Sequence, residues 1–169
     1  MWACAPSADF HSKVRRRCVR LRKYFAEHAA PDLHHRAMLL WASLTLDGLM
    51  TKQEQRATVE QLLALQQPDG GWSLASLGTY KRHDKTDNAK DGPSDGYGTG
   101  FVVFVLRQAG VPANHDKIQA GVAWLKANQR ESGRWFTRSL SNDVHHYITH
   151  AGTAYAALAL RVCDVPMGD

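Results

Sequence analysis

The chain contains one sequence pattern twice, and this repetition constrains its fold more than any other feature. Residues 66–72 read QQPDGGW and residues 129–135 read QRESGRW, so both copies have Gln, three residues, Gly, one residue and Trp. Residues 99–112 also align without a gap on residues 153–166, with Thr, Leu, Arg, Val and Pro at matching positions. The two tryptophans lie 63 residues apart. A period of this length indicates stacked structural repeats.

Helical segments of two kinds alternate along the chain. Residues 38–46, 101–106 and 154–160 are apolar on every face, which predicts enclosed helices. Segments with one apolar face lie between them, and these predict outer helices. One starts with a capping box at Thr51 and Glu54, and another follows Asn114 as its cap. The predicted order is outer 10–29, inner 34–49, outer 52–66, inner 99–111, outer 115–129 and inner 150–163. We therefore expect an all-α fold of three stacked hairpins.

The linker at residues 73–98 is polar, rich in Gly and longer than residues 136–152, the matching linker of the next repeat. We interpret it as an insertion that forms a surface loop. The alternative is a lid, because long loops over cavities often gate them.

Each Gln-x3-Gly-x-Trp pattern follows an outer helix, where the last carbonyl groups need partners. Gly allows the chain to reverse, Gln supplies a donor and an acceptor, and Trp can pack on the next hairpin. These side chains include no nucleophile, base or metal ligand, so we predict a structural clamp. Its members are Gln66, Gly70, Trp72, Gln129, Gly133 and Trp135.

Basic residues are concentrated near the N-terminus. The net charge is only +5, yet residues 13–23 hold seven of the 21 basic side chains. Val14, Cys18, Leu21 and Phe25 would form an apolar stripe on the same helix. The preferred interpretation is an outer helix docked by this stripe. Contact with an anionic membrane surface is the main alternative, and nucleic acid is disfavoured because no binding motif accompanies the charge.

Composition limits the compartment and the cofactors. The chain has 44% apolar residues and three scattered cysteines without a CxxC pair, so it predicts one core and no disulfide framework. It has no apolar run of eighteen residues and no signal-peptide pattern. We expect a cytoplasmic or peripheral membrane protein, and no motif calls for a cofactor.

The second clamp extends backwards as GVAWLKANQ at residues 121–129, and the whole stretch resembles the QW repeat of squalene-hopene and oxidosqualene cyclases, within the terpenoid cyclase and protein prenyltransferase superfamily. The resemblance implies a segment of an α/α toroid at residues 34–169, preceded by a basic outer helix at 1–33. It further implies inner helices around a cavity for an isoprenoid. About half a ring is present, so a longer protein, or association into a homo-oligomer, would complete it.

The sequence departs from the family in its acidic motifs. Neither DxDD nor DDxxD occurs, and the Asp, Cys and His zinc ligands of the prenyltransferases are not reproduced. The resemblance implies isomerase-type cyclisation for a complete protein, and catalysis by this chain stays open.

Any site should lie where the inner helices begin, because their N-termini share one mouth. Candidate catalytic residues there are Asp95, Tyr97, His146 and His150. Burial against the apolar helix would raise the pKa of Asp95. No metal site is predicted by motif, although Asp143 with His146 and His150 is a conceivable zinc set. The paired histidines 34/35 and 145/146 fall at corresponding places.

Two functions remain. The first is a cyclase-like domain that binds an isoprenoid in an apolar cavity among Trp41, Phe101, Phe104 and Tyr155. The second is a non-catalytic helical-repeat module of a larger protein, which would expose an apolar flank at residues 154–165.

Overall fold

The computed structural model describes residues 8–164, and within this range the chain is helical. It forms α1 (Ala8–Glu27), α2 (Leu33–Ser43), α3 (Lys52–Ala64), a short 3₁₀ helix (Leu74–Leu77), α4 (Gly96–Gln108), α5 (Asp116–Ala127) and α6 (Ile148–Asp164). These helices match the six predicted segments in order. The alternation of inner α2, α4 and α6 with outer helices is that of an α/α toroid segment.

Helix α4 is the centre of the described structure. Its residues from Gly96 to Arg107 are all buried, as the unbroken apolar run FVVFVL predicts. Helix α6 lies against it at very short distance, because glycines remove the side chains between them. A Cβ atom on Gly100 would lie 2.5 Å from the backbone N of Ala156, and one on Gly152 would lie 3.0 Å from the backbone N of Tyr97.

The other two inner helices are less enclosed than their sequences predict. Met38 and Leu44 in and after α2 are 38% and 42% exposed, and Leu158 in α6 is 38% exposed. Both helices pack on α4 through one face only. Within residues 8–164 no further hairpin covers the opposite face of either helix.

The two clamps have the same geometry. Nε1 of Trp72 donates to the carbonyl of Leu62 at 2.7 Å, and Nε1 of Trp135 donates to that of Leu125 at 2.7 Å. Both glycines, Gly70 and Gly133, have positive φ, at 88° and 76°. This conformation suits Gly and reverses the chain after the outer helix.

The glutamines of the clamps donate to the carbonyl groups of these glycines. Gln66 Nε2 lies 2.8 Å from the Gly70 oxygen, and Gln129 Nε2 lies 3.0 Å from the Gly133 oxygen. Gln66 also reaches the carbonyl of Lys117 in α5, at 2.7 Å. The first clamp therefore joins two successive hairpins.

Three local expectations have different outcomes. The capping box of Thr51 and Glu54 is present. The cap of α5 is His115 rather than Asn114, because the His115 Nδ1 accepts from the backbone N of Lys117 at 3.2 Å. The insertion is not entirely a surface loop: residues 71–75 and 77 are buried, since Leu74 and Leu77 pack into the core.

Helix α1 makes sparse contacts with the other helices. Nε of Arg22 donates to the carbonyl of Asp47 at 2.6 Å, and half-buried Phe25 borders an apolar cleft of 380 Å³ between α1 and α2. Val14 and Leu21 are 40% and 41% exposed. The predicted apolar stripe is thus only partly docked. Side chains 8–13 and 15, which include Lys13 and Arg15 of the basic cluster, lie outside the described part.

None of the helices in the described range has the length and hydropathy needed to cross a membrane.

Candidate functional site

The N-termini of α2 and α4 meet through a hydrogen bond between two side chains. Nε2 of His34 lies 2.9 Å from the hydroxyl of Tyr97. Burial lowers the pKa of His34, and the neighbouring His35 lowers it further. Burial also raises the pKa of Tyr97 to about 12. Both groups are therefore neutral near pH 7, and the pair can hold or pass a proton without carrying charge.

Aromatic rings continue from this pair along one face of α4. Tyr97, Phe101 and Phe104 are spaced at i, i+4 and i+7, which places them on the same side of the helix. Tyr155 of α6 contacts all three, with ring centroids 5.3, 5.2 and 6.2 Å away. Trp41 of α2 meets Phe104 edge to face at 5.0 Å. We call these five residues and His34 the aromatic seam.

Exposure differs along the seam. Phe101 is fully buried, and Phe104 and Tyr97 are 6% and 8% exposed. Trp41, Tyr155 and His34 are half-buried. The structure thus brings the four predicted substrate-binding residues together, and a ligand would reach Trp41 and Tyr155 first.

Asp95 is the N-cap of α4. Its Oδ1 accepts from the backbone N of Gly98 at 2.8 Å and from the hydroxyl of Thr137 at 3.1 Å, and its Oδ2 accepts from the backbone N of Leu74 at 2.7 Å. Burial raises the pKa of Asp95, and the hydrogen bonds from Gly98, Leu74 and Thr137 oppose this rise. A general-acid role would require at least one of these bonds to break, so the observed contacts are those of a structural cap.

The predicted residues of the third mouth segment lie apart from the seam. Nδ1 of His146 accepts from the backbone N of Ser139 at 3.0 Å, and its ring meets Phe136. His150 is exposed. Asp143 pairs with Arg82 and Arg138 at 2.6 and 2.7 Å. Asp143, His146 and His150 do not converge on a metal position.

A different group of ligand atoms converges at the start of α2. Asp32, His34 and His35 each offer an oxygen or nitrogen, and these three atoms lie within 4.8 Å of one another. Asp32 caps α2, because its Oδ1 accepts from the backbone N of His35 at 2.9 Å. The same Oδ1 lies 2.7 Å from Nδ1 of His35.

The insertion is fastened to the next linker on this side of the molecule. Besides the ion pair of Arg82 with Asp143, the backbone N of His83 donates to the carbonyl of Ser141 at 2.9 Å. Nδ2 of Asn88 donates to the carbonyl groups of Tyr80 and Leu140 at 2.8 and 2.9 Å. These contacts hold the loop closed against its neighbour.

Two comparisons with known proteins decide the family. The profile of the squalene-hopene cyclase C-terminal domain matches residues 33–144. This chain belongs to the squalene-hopene cyclase family. A squalene–hopene cyclase of Zymomonas mobilis is 31% identical over 148 residues, which cover 80% of this chain and 20% of that protein. The chain therefore spans about a fifth of the length of the curated relative it matches.

Sequence reasoning missed part of the mouth of this cyclase-family domain. The residue pattern indicates His34 only as one of a pair, and it singles out neither Asp32 nor Tyr80. The sequence does carry one signal, because Asp32 precedes Asp95 by 63 residues and His34 precedes Tyr97 by 63 residues. The same offset separates the two clamp tryptophans. The first repeat therefore carries its own cap and its own polar residue at the mouth.

Proposed function

We propose that this cyclase-family domain binds an isoprenoid chain along the aromatic seam. The observation that carries the proposal is the row of rings on α2, α4 and α6, in a chain that belongs to the squalene-hopene cyclase family. Isoprenoids are branched hydrocarbons, and burying their apolar surface against rings releases about 25 cal/mol per Å².

The seam has a polar end and an apolar end. His34 and Tyr97 form the polar end, where a hydroxyl group of a ligand can exchange hydrogen bonds with the neutral pair. Trp41 and Phe104 form the apolar end, and neither side chain donates a hydrogen bond to another group within residues 8–164. An isoprenoid alcohol would therefore lie with its hydroxyl near Tyr97 and its hydrocarbon tail toward Trp41.

The rings also suit a positively charged intermediate. Aromatic faces attract cations by about 0.5–2 kcal/mol each, and a ring row distributes that attraction along a chain. The domain supplies this wall but no DxDD acid. We propose that it contributes substrate binding, and that protonation, in any complete protein, comes from residues outside the aromatic seam.

Ligand binding can be measured with farnesol as the isoprenoid and a linear alcohol of equal carbon number as the control. We expect farnesol to quench tryptophan fluorescence saturably and to raise the melting temperature. Trp41→Ala and Tyr155→Ala should each weaken binding about tenfold, because each removes a half-buried ring worth about 1–2 kcal/mol of contact.

The matched control is Trp124→Phe, because Trp124 is half-buried on outer helix α5 and away from the seam. This variant should bind farnesol as the unmodified chain does. Equal loss in Trp41→Ala and Trp124→Phe, or equal affinity for both alcohols, would contradict the proposal.

One observation favours a second function, that of a non-catalytic helical-repeat module. Ala154, Ala157 and Leu158 are exposed on α6, where a further hairpin of a repeat array would pack. This covers the described part of the predicted flank, and Val165 lies outside it. The module would associate through α6, so Leu158→Glu should abolish any concentration-dependent dimer seen by light scattering. A monomer at all concentrations argues against this second function.

A further inference from the structure

We infer that Asp32, His34 and His35 form a binding site for a divalent transition-metal ion of the zinc type. The three ligand atoms already lie within 4.8 Å of one another. A tetrahedral ion with bonds of about 2.0–2.1 Å would hold them roughly 3.3 Å apart. Small side-chain rotations would therefore complete the set without moving the backbone of α2.

The donor atoms suit such an ion. Two imidazole groups and one carboxylate form a common catalytic zinc set, and they leave a fourth position for water or a ligand. Both hydrogen bonds described for the Asp32 side chain use Oδ1, which leaves Oδ2 for coordination. The His35 side chain is 56% exposed and that of Asp32 is 15% exposed, so an ion can enter from solvent.

The surroundings would orient the ligands. The hydroxyl of Tyr97 lies 2.9 Å from Nε2 of His34, and metal-binding histidines commonly use their second ring nitrogen for such a bond. A Cβ atom on Gly78 would lie 2.7 Å from Oδ2 of Asp32 and 3.2 Å from Cε2 of Tyr80. The absence of a side chain at Gly78 therefore leaves room beside the carboxylate.

The second and independent observation is Tyr80. Its hydroxyl oxygen is buried and has no hydrogen-bond partner within the described part of the chain, which is costly unless a bound group satisfies it. The charges of Asp32 and Tyr97 both act on this hydroxyl, so it lies near the proposed site. A water molecule held by the metal ion would supply the missing partner.

Zinc is favoured over magnesium at this position. The first turn of a helix carries partial positive charge, which repels a cation held by charge alone. Imidazole nitrogen bonds zinc strongly, whereas magnesium prefers oxygen ligands and its own water shell. The site should therefore bind Zn²⁺ and Co²⁺ but not Mg²⁺.

The test is metal titration of the 169-residue chain after treatment with a chelator and dialysis. Zn²⁺ binding is followed by calorimetry, Co²⁺ binding by visible absorption, and Mg²⁺ is the negative control. We expect one high-affinity ion per chain and a higher melting temperature with Zn²⁺. Absence of saturable Zn²⁺ binding, or equal binding of Mg²⁺, overturns the inference.

Matched variants separate this site from other histidines. Asp32→Asn keeps a good N-cap and removes the carboxylate, and His34→Gln and His35→Gln remove one nitrogen ligand each. Each should weaken Zn²⁺ binding at least about tenfold, while His83→Gln in the exposed loop should not. Loss in His83→Gln equal to that in the site variants would contradict the assignment.

A measurement on the unmodified chain covers the case in which a variant fails to fold. Diethyl pyrocarbonate modifies accessible histidines, and mass spectrometry locates the products. Zn²⁺ should protect His35 and leave His83 reactive. Equal reactivity of His35 with and without Zn²⁺ would overturn the inference.

Discussion

At the scale of single residues, the clamp tryptophans carry more structure than any other side chains. Trp72 is fully buried and Trp135 is 4% exposed, and both indole groups donate to a carbonyl near the end of the preceding outer helix. Their backbone N atoms form a second repeated contact. Trp72 donates to the Oγ1 of Thr99 at 3.0 Å, and Trp135 donates to that of Thr153 at 3.2 Å. Each tryptophan thus joins an outer helix to the next inner helix.

Trp72→Phe should lower the free energy of unfolding by about 2 kcal/mol. The substitution leaves the buried carbonyl of Leu62 without its donor, which costs about 1–3 kcal/mol. Trp124→Phe is the control, because its Nε1 bonds the exposed Asp69, and it should cost less than about 1 kcal/mol. Urea unfolding of both variants measures the difference. Equal losses would show that the indole bond of Trp72 contributes little.

Asp95 should make the chain less stable as pH rises above the unfolded pKa of about 3.9. Burial raises its folded pKa, so its contribution is fully present below the unfolded pKa and is lost as pH rises through the folded pKa. The stability difference between the unmodified chain and Asp95→Asn should therefore shrink from about pH 3.5 toward neutrality. Urea unfolding at several pH values measures this difference. A difference that grows with pH would mean that the three hydrogen bonds outweigh burial.

At the scale of helices, glycines decide which surfaces approach closely. α4 and α6 touch backbone to backbone at Gly100 and Gly152, and α5 packs over Trp72 at Gly121. A Cβ atom on Gly121 would lie 2.7 Å from Val103 Cγ2 and 2.8 Å from Trp72 Cζ3. These contacts explain why three glycines occur inside helices, where each one costs about 1 kcal/mol relative to Ala.

Gly100→Ala should destabilise the chain by about 3 kcal/mol, although Ala favours the helix. Its Cβ atom would lie 2.5 Å from the backbone N of Ala156, and backbone atoms cannot move aside as a side chain can. Gly110→Ala is the control, because nothing lies within 4 Å of its Cβ position and only its φ of 89° is unfavourable. That strain costs about 1–2 kcal/mol. Thermal unfolding that ranks Gly110→Ala as the worse variant would contradict this account.

At the scale of the whole molecule, the described structure is a core around α4 with a loosely attached N-terminal helix. α2, α5 and α6 pack on α4, whereas α1 is held by the Arg22 hydrogen bond and by Phe25. The clamps repeat this core along the chain. The order of helices is therefore cooperative from α2 to α6, and α1 is an addition to it.

Removal of residues 1–27 should change the melting temperature by less than about 4 °C. The interactions of α1 with the rest of the chain are worth roughly 1 kcal/mol, and removing that much stability shifts the melting temperature of a domain of this size by about 2–4 °C. Removal of residues 148–169 is the control, and it should unfold the chain because it exposes the buried face of α4. Circular dichroism measures both. Unfolding after the first truncation would show that α1 belongs to the core.

Hydrophobic pattern was sufficient to predict the elements and their order. FVVFVL predicted a buried helix, and Ile118, Val122 and Leu125 are buried as their spacing predicted. Pattern failed where the environment of a helix mattered. The apolar residues of α2 and α6 predicted enclosure, but sequence periodicity does not show whether another hairpin covers a face.

The candidate site was predicted in part for the same reason. The aromatic residues were found because apolar inner helices must face one another. The bond between His34 and Tyr97 joins residues 63 positions apart, and the group of Asp32, His34 and His35 depends on side-chain directions within one turn. His146 and His150 have a spacing typical of ligands, yet Nδ1 of His146 accepts from a nearby backbone N.

The sequence by itself determined the helical repeat, its clamps and its family, because these depend on residue type and on local spacing along the chain. Only the tertiary structure decided that Asp95 is a saturated cap, that α2 and α6 each keep an exposed face, and that three ligands meet at the start of α2. These features arise from packing between distant segments, where burial, competing hydrogen-bond partners and the directions of side chains determine what each residue can do.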